Sequence, residues 1–275
     1  MTLTLVFGAL VGLALGLTGG GGSIFAVPLL IYGLDVAPHA ATTVSLAAVG
    51  LTAFAGAADG ARARLLEFRP ALVFAATGVT AALLGVALGK QASETAIVIG
   101  FAVLMLVIAA KMWADAGSRS SEAHTVRAGL STVTPSETGP VCRYSQDGKL
   151  RLNSRCSATL AACGLLVGVL SGFFGVGGGF LIVPALLLVT QMSMRRAVAT
   201  SLLVIALIGT AGVAASWWLG HDVEWGLAGL FALGGLIGMG LGRLLAARLA
   251  GSILQRVFAA SMAAVGAAML FTQGI

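Results

Sequence analysis

Gly12-Leu-Ala-Leu-Gly-Leu-Thr-Gly-Gly-Gly-Gly-Ser-Ile-Phe-Ala-Val-Pro-Leu-Leu30 decides the fold of this chain, because its skeleton occurs twice. The pattern Gly12-x3-Gly16-x2-Gly19-x-Gly21-Gly22-x4-Val27-Pro28-x-Leu30 returns 156 positions on, as Gly168-x3-Gly172-x2-Gly175-x-Gly177-Gly178-x4-Val183-Pro184-x-Leu186. The same offset carries Ser45-Leu46 onto Ser201-Leu202. A one-residue gap then carries Glu67, Gly78 and Gly85 onto Glu224, Gly235 and Gly242. Corresponding glycine interruptions in two apolar halves are the sequence sign of a transporter whose site lies between its repeats.

Working outward, the surroundings are a membrane protein's. Hydrophobic residues make up 58% of the 275 positions and charged residues 9%, an apolar excess that no single soluble core can hide. The expected class is an all-α polytopic membrane protein. Spans of about 20 residues fall at roughly 40–58, 70–89, 95–114, 197–220, 225–247 and 253–272. An interrupted segment precedes each set of three, at 3–34 and at 157–190. The expected organisation is a first membrane repeat over 1–114, a polar linker over 115–156 and a second repeat over 157–275. The linker tail, Val141 to Leu152, alternates around Asp147-Gly148 and reads equally as a small β-hairpin or as a tether.

The net charge of +6 does not point to nucleic acid, since the basic residues lie in loops between apolar spans and act as topology signals. If each interrupted segment is a hairpin, 15 of the 16 Lys and Arg residues share one face and only Lys90 is left on the other. If each crosses once, they divide as 10 and 6. The positive-inside rule favours the sharper division, so the linker is expected in the cytoplasm and both termini outside. An odd number of crossings per half makes the repeats inverted. Met1-Thr-Leu-Thr-Leu has no basic n-region and no evident cleavage site, so a removable signal peptide is not expected. Cys142, Cys156 and Cys163 form neither a disulfide framework nor a zinc spacing.

Two glycine tips are the candidate site: Gly19, Gly20, Gly21, Gly22 and Ser23 in the first half, Gly175, Gly177, Gly178 and Gly179 in the second. Such runs survive in a bilayer only where protein surrounds them. Arms at 3–17 and 22–34 would be about 22 Å and 20 Å long at 1.5 Å per residue, which sets the tips near or somewhat beyond mid-bilayer. Helices restarting at Ser23 and Gly179 then turn unpaired N–H groups and positive dipole ends to one centre, an arrangement that suits an anion. The glycines at every fourth position, such as Gly8, Gly12 and Gly16, read instead as close-packing faces. Pro28 and Pro184 kink the outgoing arms or free a carbonyl beside the site.

Thr43 and Ser45, with Thr200 and Ser201, sit one or two turns into the following spans. They either face the tips or bond their own preceding carbonyls. His39, Arg195 and Arg196 lie at the mouths of these spans. They serve as topology signals or as an entrance that gathers anions. No Asp, Glu or Lys lies mid-span, so no intramembrane proton relay is expected. No cofactor or metal is called for.

At these residues the chain resembles the sulfite exporter TauE/SafE family of bacterial permeases, through both glycine motifs, Val27-Pro28, Val183-Pro184, Ala199-Thr200-Ser201-Leu202 and the four-segment pattern of each half. In the first half the last signature reads Thr43-Val44-Ser45-Leu46, with its threonine displaced. The resemblance implies an inner-membrane carrier of a small sulfur-containing anion such as sulfite, a sulfonate or sulfoacetate. Export by alternating access is favoured, because an inside-negative membrane expels an anion with ~2.3 kcal/mol per charge per 100 mV. A passive channel and a sodium- or proton-coupled uptake permease remain alternatives. A membrane enzyme would need a nucleophile, base or metal cluster that His39, His124 and His221 do not supply. Sequence leaves open whether the chain works as a monomer or a homodimer.

Overall fold

A computed structural model describes residues 2–89, 94–125, 154–174, 179–190, 192–218, 224–248 and 251–272. The described chain forms α1 (Thr2–Thr18), α2 (Gly22–Leu34), α3 (Pro38–Arg62), α4 (Phe68–Gly89), α5 (Glu94–Thr125), α6 (Ser154–Phe174), α7 (Gly179–Val189), α8 (Met194–Trp218), α9 (Trp225–Arg248) and α10 (Gly251–Thr272). By length and composition five of them, α3, α4, α6, α8 and α9, suffice to cross a membrane. The chain is a polytopic all-α membrane protein. Leu83, Leu84, Trp217 and Trp218 on its outside are more than three-fifths exposed, as side chains in contact with lipid or its interface are.

Local chemistry sets the helix ends. Asp35 ends α2 in the left-handed region with φ 56°, where Val36 N–H donates to Leu30 O at 3.1 Å. Pro38 opens α3 at a position where its missing N–H costs nothing. Arg64 takes φ 55° after α3, and Leu65 N–H returns to Gly60 O at 3.0 Å.

Glycine contacts fix the direction of each helix. Gly8 and Gly16 of α1 lie on Phe231 and Met239 of α9, so the two run the same way. In α4 and α6, Gly78 meets Gly164 and Gly85 meets Val169 and Phe173, again in the same direction. The pair α3 and α8 is antiparallel: Gly60 meets Ala199, Gly50 meets Gly209, and Gly212 meets Leu46. So is the pair α5 and α10, where Gln255 Nε2 donates to Met112 O at 3.0 Å and Gly266 touches Ala102. Each pairing of the first half with the second has its counterpart under exchange of the halves. Small residues make these approaches, because lipid offers no hydrophobic drive between helices and association rests on close van der Waals contact.

Both interrupted segments return to the end where they began. Gly33 near the end of α2 lies against Phe7 near the start of α1, while Gly22 lies against Val11 and Leu15. The α1 tip reaches further than its arm length suggested: Gly16 stands by Met239 and Arg243, and Gly19 by Val198 near the start of α8. The chain then folds back, and α2 starts beside the middle of α1. In the second half α6 is 21 residues long, about 32 Å at 1.5 Å per residue, longer than the 17 residues of α1. By these directions Arg62, Arg64, Arg69, Lys111, Arg155, Arg195, Arg196, Arg243 and Arg256 gather at one end of the bundle, and the start of α1 and the end of α10 lie at the other. Cys163 is free. Cys156 is disulfide-bonded, which the cysteine spacing had not suggested. The suggested hairpin at 141–152 lies outside the described residues.

Candidate functional site

The middle of the bundle is where α3 crosses α8 at Gly50 and Gly209. Gly12 meets Gly235, and Gly235 meets Thr52, so the centre of α1 stands at the same level. Here α2 begins beside Val11 and Leu15, and α7 begins at Gly179, where an added Cβ would come within 2.6 Å of Ser23 Oγ. The N-terminal ends of two helices therefore meet halfway along the spans. Their partial positive charges add in a low-dielectric setting. Beside them lies a cavity of about 40 Å³ lined by Ser23, Thr42, Ser45, Gly50, Ile205 and Gly209 among others, room for a few waters.

The expected hydroxyls divide. Ser23 and Ser45 line this cavity; Ser23 Oγ donates to Gly20 O at 2.7 Å. Thr43 donates to Ala40 O at 3.0 Å, one turn back in its own helix. Thr200 is fully buried and its Oγ1 accepts the N–H of Glu67 at 3.3 Å, which ties α8 to the loop before α4. Ser201 Oγ is 2.8 Å from both Gly19 O and Val198 O and pins the first tip to α8. These last two hold the repeats together and do not line the central cavity.

Thr18 caps the first tip. Its Oγ1 donates to Ala14 O at 2.6 Å and accepts Gly21 N–H at 2.9 Å. Ser23 and Ile24 N–H donate to Gly20 O and Gly21 O, each at 3.3 Å. The Gly21 amide is thus not unpaired, and what this tip offers a ligand is the dipole end of α2 more than a free cradle. The left-handed residue of the tip is Gly19, with φ 74°, whereas Gly21 sits at φ −63°. Sequence reasoning passed over Thr18, because a threonine that ends a helix bonds its own i−4 carbonyl in any case and nothing local shows that it also receives Gly21 N–H.

Pro28 is exposed and Pro184 buried, so the two prolines do not play matching roles; neither lines the central cavity. At the basic end Arg196 Nη1 bonds Glu67 Oε1 at 3.0 Å, joining the repeats, and Arg195 lines a separate cavity. His39 lies in the first turn of α3 with its side chain outside the described part, and Gly175, Gly177 and Gly178 lie outside the described residues. Among the described residues no group of three or more His, Cys, Asp or Glu could hold a metal.

The profile of the sulfite exporter TauE/SafE family matches residues 4–269. The chain belongs to this family. It is 36% identical over 269 residues to a probable membrane transporter protein of Xylella fastidiosa strain Temecula1, covering 96% of this chain and 93% of the relative. To the probable membrane transporter protein YunE of Bacillus subtilis it is 26% identical over 231 residues, covering 81% and 80%. No solved structure matches. This TauE/SafE chain is therefore a multi-pass membrane transporter, with its two halves in reciprocal contact and two helix N-termini converging at its centre.

Proposed function

We propose that this protein carries a small sulfur-containing anion, of the sulfite, sulfonate or sulfoacetate type, out across the bacterial inner membrane by alternating access of two inverted repeats. The observation that carries the reading is the meeting of the α2 and α7 N-termini at Ser23 and Gly179, where positive dipole ends and the hydroxyls of Ser23 and Ser45 favour one negative charge. The antiparallel runs of α3 against α8 and α5 against α10 support the inversion, since only a two-fold axis in the membrane plane sets equivalent helices head to tail. The family's name supports the sulfur anion. Export follows from the membrane potential, which drives a net negative charge outward with ~2.3 kcal/mol per 100 mV.

The test is efflux of methanesulfonate, whose charge does not titrate, from proteoliposomes under a potassium diffusion potential. Inside-negative potential is expected to accelerate efflux of the native protein. Gly179→Ala, whose methyl meets Ser23 Oγ, is expected to slow it roughly tenfold or more, the scale of losing one well-placed anion-stabilising contact. Efflux that ignores the potential but follows an imposed sodium or proton gradient makes the protein a coupled carrier. Native efflux in a folded Gly179→Ala protein removes the central site.

For orientation, the basic end of the bundle supports a cytoplasmic linker with both termini in the periplasm. Cysteines at Thr2 and Gly274, in a chain lacking its own three, are expected to react with an impermeant thiol reagent from outside, and one at Ser131 is not. A disulfide at Cys156 runs against this orientation, because the cytoplasm keeps thiols reduced. Alkylation of intact cells before lysis is expected to trap Cys156 reduced, and recovery of the oxidised form counts against this orientation.

A further inference from the structure

A second cavity, of about 590 Å³, opens at the basic end of the bundle, separated from the centre by the first glycine tip. Gly16 and Val198 line it, and these are the neighbours of the hairpin turn at Gly19. Its charged lining is Arg195, Arg243 and Asp59; the rest is apolar. Asp59 stands between two arginines, with Oδ2 on Arg243 and Oδ1 on Arg62 Nη1 at 3.2 Å. Two guanidinium groups, of Arg243 and Arg62, thus share one carboxylate, and the excess charge there is positive. The side chains of Arg243 and Asp59 are 32% and 45% exposed, so the pair is open to the cavity and an incoming anion can compete for it.

We infer that this cavity is a staging site for a small anion, in which Arg195 attracts and Arg243 donates, with Asp59 occupying the Arg243 guanidinium until an anion competes for it. The inference rests on the anion reading above and extends it to a second position, next to the tip that the carried anion must pass. Asp59 comes from the first repeat and Arg243 from the second, so the site lies between the halves and feels their relative movement. The planar fork of Arg243 matches the oxygens of a sulfonate or sulfite two at a time, as a lysine would not. Asp59 makes the site selective by charge. A ligand must displace a carboxylate, which an anion can do and a neutral solute cannot.

The test reads local binding without transport. In protein with Cys142, Cys156 and Cys163 replaced by serine, Ala63→Cys is placed on the cavity wall and its reaction with anionic and cationic methanethiosulfonate reagents is timed in detergent. Thr2→Cys at the other end is the reference. The anionic-to-cationic rate ratio at position 63 is expected to exceed the reference about tenfold, the scale of focusing by a charged cleft, and millimolar methanesulfonate is expected to slow the labelling. Arg195→Gln and Arg243→Gln are each expected to lower the ratio, and Asp59→Asn to raise it and tighten protection by methanesulfonate. A purely structural ion pair predicts the opposite for Asp59→Asn, a loosened site with weaker protection. Should Arg243→Gln not fold, Arg195→Gln at the exposed first turn of α8 decides. A ratio equal to the reference, or labelling indifferent to methanesulfonate, overturns the staging site and leaves the central reading standing. A protected Ala63→Cys in a protein that transports no sulfonate does the reverse.

Discussion

Alanine in place of Gly19 is expected to abolish transport and to lower the thermal unfolding midpoint in detergent well below that of the native protein. Two costs coincide there. With φ at 74°, the residue sits where a side chain costs about 1–2 kcal/mol. The added Cβ would also lie 2.7 Å from Val198 Cα, a backbone atom that no rotamer change can move, and overpacking of this kind costs roughly 1–3 kcal/mol more. Because Ser201 Oγ bonds Gly19 O, the displaced turn also loses its tie to α8. Gly240→Ala is the control: nothing lies within 4 Å of a Cβ at that position, so replacing an exposed helical glycine there is expected to leave stability unchanged or raise it by about 1 kcal/mol. A Gly19→Ala protein with native melting and native efflux removes the argument that this turn must be left-handed.

Gly12→Ala is expected to have a comparably large effect, through the seam between the halves and not through a turn. A Cβ there would run into the carbonyl of Gly235 and stand 2.7 Å from its Cα. Since both obstacles are backbone, α1 must separate from α9. The exchange-related position Gly168 meets Gly78 in the same way, with its Cα at 2.9 Å. At the central crossing Gly50 comes to 3.3 Å of Gly209 Cα, and Gly78 only to 3.6 Å of Gly164 O. The expected order of lost folded protein in alanine variants is therefore Gly12 first, then Gly50, then Gly78. Size-exclusion recovery in detergent reads it. Equal recovery of all three would show that the seam relaxes at little cost, against the overpacking of roughly 1–3 kcal/mol expected for a tight core.

Several features were fully legible in the residues. The repeated Gly12–Leu30 pattern, the apolar excess and the spacing of the spans led to helices that the described residues form: α2 occupies 22–34 as read, and α9 ends at Arg248 against an expected 247, whereas α5 runs to Thr125, eleven residues past the expected 114. These follow because a membrane-spanning segment must satisfy its backbone internally, which ties element type and length to composition. The basic residues among the described span ends gather at one end of the bundle for the same local reason: a charge at the end of a span reaches the same side whatever packs beside it.

Other matters depended on distance in space and not on sequence. Which glycines contact which was hidden, because α1 pairs with α9 and α4 with α6 across the duplication, and a four-residue spacing names a face without naming its partner. The roles of Thr200 and Ser201 were hidden for the same reason. A hydroxyl in an apolar helix is equally suited to a ligand or a carbonyl, and only the approach of Glu67 and of Gly19 decided that these two fasten the repeats. Thr18 supplied the cap that leaves Gly21 N–H satisfied, a three-residue contact that a count of glycines overlooked. Sequence by itself thus determined the class, the duplication and the two chain reversals, since each is set by local composition. Tertiary structure alone brought Ser23 to Gly179 and Arg243 to Asp59, because residues 156 and 184 positions apart meet only when two apolar halves close on each other.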